Sequence, residues 1–212
     1  MFIIPIGLQC STAIFKKTLQ KTSTLPFDWM FANIQFVYKM LELLLVENMD
    51  ITELVTEHFF CCDKNASFSQ QEHYYTCVDG SALYNTKYEV IFPHDKNDKE
   101  TIQKYIRRFE RLKDIILHST DTLVFVYASQ SSLESGNFTI DGKNVVKDVY
   151  RTVSKIYTLI GQFRNNYRMV IFDSIQEEPE SDIGDKIILA KLDKCNNWYD
   201  LALRIIERAK DI

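Results

Sequence analysis

The sequence predicts an α/β fold, a single domain spanning residues 1–212 whose largely parallel sheet is flanked by helices. Three observations predict it. The runs Thr122 to Ala128, Met169 to Phe172 and Ile187 to Leu192 are almost continuously apolar, as strands covered on both faces must be. Long helical patterns lie between and after them, at Val145 to Phe163 and Trp198 to Ala209. The chain also opens on a strand, a turn and a helix, and no Gly/Ser linker, repeat or low-complexity tract divides it.

Taken in order, Phe2 to Ile6 reads as the first strand. Pro5 lacks an N–H, so this strand belongs at a sheet edge or is bonded there through its other side only. Gly7 ends it. Ser11 to Leu19 then carries Ala13, Ile14 and Leu19 on a helical period, with Lys16 and Lys17 expected outside. Thr24 to Trp29 forms a rigid aromatic loop around Pro26, and Ile34 to Val46 an amphipathic helix. Asp50 caps a short helix through a capping box with Glu53. Phe59 to Tyr84 is polar and aromatic with no clean period and receives no assignment. Lys87 to Phe92 alternates as a strand and stops at Pro93-His94-Asp95. Asp98 is placed to cap a helix that runs to Leu117, with Ile102, Tyr105, Ile106, Phe109, Leu112 and Ile116 inward.

Composition narrows the function. With 25 Lys+Arg against 29 Asp+Glu, the net charge of −4 supplies no general field for nucleic acid or anionic lipid. No stretch approaches the roughly 18 apolar residues of a membrane span. The start at Met1 has no basic leader, and five cysteines form no disulfide framework. A cytoplasmic, reducing location is the expectation. His58, Cys61, Cys62, His73 and Cys77 match no zinc spacing, because Cys61 and Cys62 are adjacent. No metal and no cofactor is expected.

In parallel sheets ligands bind where strand ends lead into helices. Gly7-Leu8-Gln9-Cys10, Pro93-His94-Asp95 and Ala128 to Ser132 are such segments. Cys10 stands just before a helix start, where unpaired N–H groups and the helix dipole favour a thiolate. A backbone N–H of Cys10 or Ser11 can receive an oxyanion. The same position also suits a small buried residue. An imidazole at His94 can serve such a thiol as general base. Asp95 is its neighbour, but adjacent extended residues point to opposite faces; Asp28, Asn85 or a backbone carbonyl are the other candidates for orienting it.

Taken together, Ile4-Pro5-Ile6-Gly7-Leu8-Gln9-Cys10-Ser11-Thr12-Ala13, Ser23-Thr24-Leu25-Pro26-Phe27-Asp28-Trp29, Asn85-Thr86-Lys87-Tyr88 with Phe92-Pro93-His94-Asp95, and Lys104 to Arg111 resemble an uncharacterised family described as papain-like cysteine peptidases, found in bacteria and large DNA viruses. The motifs span roughly the first 130 residues. The resemblance implies Cys10 as nucleophile, His94 as its base and Asp95 or Asp28 as the acidic member, with a peptide substrate. The order of Cys before His is that of papain-like enzymes.

Two other functions fit the residues. A transferase or hydrolase acting on a sugar, nucleotide or other phosphorylated small molecule would use the Gly7–Cys10 turn, with Gln9, Ser11 and Thr12, as an anion site. Arg107, Arg108 and Arg111 would then clamp phosphate, although adjacent arginines cannot share one helix face. A non-catalytic module would display Pro26 to Trp29 and the aromatic Phe59 to Tyr84 segment to a protein partner.

Overall fold

In the computed structural model the described residues are 1–7, 10–19, 23–30, 32–61, 83–85, 87–88, 90–128, 139–140, 143–144, 149–173 and 187–209. Along the chain run β1 (Phe2–Pro5), α1 (Cys10–Leu19), α2 (Ile34–Leu45), α3 (Ile51–Glu53), β2 (Leu83–Asn85), β3 (Val90–Phe92), α4 (Lys99–His118), β4 (Leu123–Ala128), β5 (Thr139–Ile140), β6 (Lys143–Asn144), α5 (Val149–Gly161), β7 (Tyr167–Asp173), β8 (Ile187–Lys191) and α6 (Trp198–Ala209).

The main sheet has the order β1-β4-β7-β8, and every pair in it is parallel. Pro5 sits on the edge strand β1, opposite Val126, where its missing N–H costs the ladder least. Ile6 resumes the ladder beyond it, donating its N–H to Val126 O at 2.9 Å. Two short antiparallel hairpins, β2–β3 and β5–β6, stand apart from this sheet.

Both faces of the sheet are covered, which is why its strands read as unbroken apolar runs. Ile4, Phe125, Tyr127, Met169 and Ile171 face the larger core with α2, α4 and α5. Ile3, Val126, Val170 and Phe172 face a smaller one with Phe15 of α1 and Leu201 and Ile205 of α6. Helix caps stand where the sequence predicts them: Asp98 accepts from Thr101 N at 2.8 Å, and Asp50 from Thr52 N and Glu53 N.

The segment from Phe59 onward, which periodicity leaves unassigned, begins at the end of a π-helical turn, Leu54–Phe59, closed by Phe60 N on Val55 O at 2.7 Å. Phe59 sits at the centre of an aromatic cluster, its ring centroid 4.7 Å from Tyr105, 4.8 Å from Phe109 and 5.4 Å from Phe92. The next strand is shorter than its alternation predicts, because Lys87 and Tyr88 form a turn and pairing starts at Val90. Residues 145–148 and 62–82 lie outside the described residues.

Gly7 joins sheet to helix through space that only glycine leaves. A Cβ there would stand 2.9 Å from Thr12 Cγ2 and 3.0 Å from the backbone N of Ala128. Gly7→Ala must push α1 away from the end of β4, and we expect a loss of about 1–3 kcal/mol in urea unfolding, the usual cost of overpacking.

Candidate functional site

Helix α1 begins at Cys10 itself, one residue earlier than its apolar period predicts. It starts at the carboxyl end of β1, the sheet edge at which α/β proteins hold ligands. The backbone of Cys10 and Ser11 forms its first turn, so its first N–H groups have no partner within the helix. Gln9 and Leu8 lie outside the described residues, as do Ser129 to Ser132.

Lys16 is not on the outer face of α1. Its Nζ lies 3.0 Å from Asp28 Oδ2 and 3.1 Å from Ser23 O, and the exposures of the two charged side chains are 4% and 2%. Asp28 Oδ2 also accepts from Leu25 N at 3.0 Å, closing the Pro26–Trp29 turn on itself. Burial dominates both titrations, raising the Asp28 carboxyl and lowering the Lys16 ammonium, while each charge opposes the shift of the other. Phe27, beside Asp28, drives its ring into the aromatic cluster, edge-on to Phe109 at 6.0 Å. The loop is thus fixed twice, by charge to α1 and by apolar packing to α4.

Trp29 follows with φ of 66°, a left-handed conformation that a bulky residue adopts only when its surroundings impose it. Its indole meets the His94 ring edge-on, with centroids 6.4 Å apart. It also lines a cavity of about 210 Å³ together with Ala13, Lys16, Lys17, Thr24 and Asp28. Ala13 and Lys17 stand three and seven positions after Cys10, so position 10 belongs to the same face of α1 as the cavity.

His94 is exposed, in the turn after β3. Partial burial holds its imidazole below the ordinary 6.5; Asp95 opposes that shift and Lys104 adds to it, so the shift favours the neutral ring. Asp95 is buried, and both of its oxygens are taken: Oδ1 by Lys104 Nζ and Oδ2 by Tyr105 Oη. It anchors the His94 turn to α4. Asn85 spends its amide on His58 O and Phe59 O and its Oδ1 on Lys87 N, which commits it to the end of the π-helical turn.

The two adjacent arginines diverge, as neighbours on a helix do. Arg107 is exposed, whereas Arg108 lies over the Tyr105 ring at 5.2 Å. Arg111, one turn on from Arg108, donates to Thr24 O at 2.6 Å. Residue patterns, which put Lys16 and Lys17 on the outer face of α1, miss both as neighbours of this site. The available signal was a lone carboxylate, Asp28, inside an apolar loop, which requires a buried cation from elsewhere in the chain.

Among the described residues, no group of three or more His, Cys, Asp or Glu is placed to hold a metal, and no helix is long and apolar enough to cross a membrane. Cys62, His73 and Cys77 fall outside them; Cys61 is free and exposed, and Cys195 is free and buried.

The molecule is therefore a parallel α/β protein whose first strand–turn–helix unit opens at a cysteine, beside a cleft walled by an aromatic loop. The chain belongs to the family described as putative papain-like cysteine peptidase (DUF1796), whose model matches residues 2–167. No curated protein and no solved structure matches it. The family match ends at the first residue of β7, leaving most of that strand, β8 and α6 beyond it.

Removing one partner of the Lys16–Asp28 pair leaves a charge buried alone. Lys16→Met should cost about 3–5 kcal/mol in chemical denaturation. The double variant Lys16→Met/Asp28→Leu should cost clearly less than the two single changes added together, since no uncompensated charge remains.

Proposed function

We propose that the chain is a cysteine-nucleophile hydrolase acting on a peptide or related acyl substrate, with Cys10 as nucleophile and His94 as general base. The observation that carries this reading is the double engagement of Trp29, which touches His94 and lines the cavity on the Cys10 face of α1. Family membership supports the same class of reaction.

In this mechanism the neutral His94 imidazole takes the thiol proton of Cys10 as sulfur attacks the substrate carbonyl carbon. The resulting oxyanion is held by backbone N–H groups of the first turn of α1, which have no partner within the helix and where the helix dipole favours negative charge. Collapse of the adduct expels the amine, which leaves with the proton from His94, and a thioester remains on Cys10. Water, deprotonated by His94, then attacks the thioester and restores the thiol as the acid departs. Asp95 serves by fixing the turn that carries His94 and by favouring the imidazolium through its charge. Asp28 serves by holding Trp29 and the cavity wall in place.

Arg108 contributes through its charge near the Lys16–Asp28 pair, while Arg107 stands exposed on α4. Gly7 supports the site by letting α1 start against the end of β4.

Iodoacetamide should label Cys10 faster than the buried Cys195, as read by mass spectrometry of digested protein. His94→Ala should slow that labelling at least tenfold at pH 7. In the unaltered chain the rate should fall as pH drops through the lowered pKa of the imidazole, because the base is lost as the ring protonates. An inert Cys10, or a rate indifferent to His94, removes the nucleophile.

A further inference from the structure

The cavity beside α1 is small. Pockets for drug-sized ligands begin at about 300 Å³, so one of about 210 Å³ takes a single side chain. Its walls divide into an apolar part, Ala13 and the Trp29 indole, and a charged part, Lys16, Lys17 and Asp28, with Thr24 between them.

The charges do not balance. Asp28 pairs with Lys16 through Oδ2, the oxygen that also receives Leu25 N, while its buried Oδ1 has no hydrogen-bond partner among the described residues. Lys17 is exposed, and among the described residues no carboxylate pairs with it. Arg111 reaches the backbone of Thr24 at the cavity wall, and the charges of Arg108 and Arg111 are both felt at Lys16. One carboxylate thus stands among four cations. A basic side chain entering here would add a fifth, and a neutral one would cover Lys17 without giving it a counter-charge.

We infer that this cavity is a specificity subsite for an acidic substrate side chain close to the bond attacked, with Lys17 receiving its carboxylate and the Trp29 indole covering its methylenes. The inference rests on the reading of Cys10 and His94 as the reacting pair, and it adds the class of side chain that the peptide substrate carries beside the bond. Lys17 acts as a specificity residue that touches substrate away from the reacting atoms.

The test uses the full chain carrying Cys10→Ala, so that a bound peptide stays intact, and Trp198→Phe, so that Trp29 is the one remaining tryptophan and reports occupancy by its fluorescence. Acetyl-Ala-Glu-Ala-amide should bind at least tenfold tighter than acetyl-Ala-Gln-Ala-amide. Lys17→Met should erase that preference and Lys17→Glu should erase or reverse it, both with unchanged circular dichroism since Lys17 is exposed. Equal affinities, no binding of either peptide, or a preference that survives Lys17→Glu would overturn the subsite. A reactive Cys10 without acidic preference overturns the subsite alone, whereas acidic preference with an inert Cys10 supports the subsite and overturns the nucleophile.

Discussion

A single buried ion pair ties the cleft together. Lys16 comes from the helix that begins at Cys10, and Asp28 from the loop that ends at Trp29, so their 3.0 Å contact sets the distance between those two walls. Burying both charges is expensive, and the expense is met only when the geometry is good and the remaining hydrogen-bonding capacity is used. Here Ser23 O and Leu25 N take part of that capacity. The arrangement is less useful for stability than for specification: any other loop position would leave two unpaired charges in an apolar setting.

Around that pair, two further constraints hold the cleft in one shape. The aromatic cluster centred on Phe59 draws Phe27 inward, and Phe27 immediately precedes Asp28. Asp95 does the corresponding service for the neighbouring turn, fastening His94 to Lys104 and Tyr105, and Tyr105 belongs to the same cluster. The loop and the His94 turn are therefore both referred to α4. The left-handed backbone of Trp29 stands between them, as expected where a site is over-determined by its surroundings.

The chain's family relationship reaches only to the start of β7, yet β7 is an inner strand of the sheet, and α6, wholly beyond the match, packs against α1. Leu201 and Ile205 of α6 share one core with Phe15 of α1. The helix that carries Cys10 is thus held between the sheet and a C-terminal helix outside the matched span. The sheet from whose edge strand α1 departs is parallel throughout.

What the sequence determined by itself was the architecture: apolar runs at Thr122, Met169 and Ile187 give strands covered on both faces, Pro5 gives an edge, and Asp50 and Asp98 give helix starts. Those are local signals, set by periodicity, by a missing N–H or by a side chain reaching its own backbone. The candidates Cys10 and His94 were legible in the same way, from their positions at strand ends. The partner of Asp28, the commitment of Asn85 to the π-helical turn, which of Arg107 and Arg108 turns inward and the meeting of Trp29 with His94 were decided by tertiary structure. Each joins residues distant in the chain, or depends on which face of a helix is buried. Lys16 shows why: beside Lys17 it reads as a solvated residue, and only the arrival of a buried carboxylate twelve positions away makes its burial tolerable.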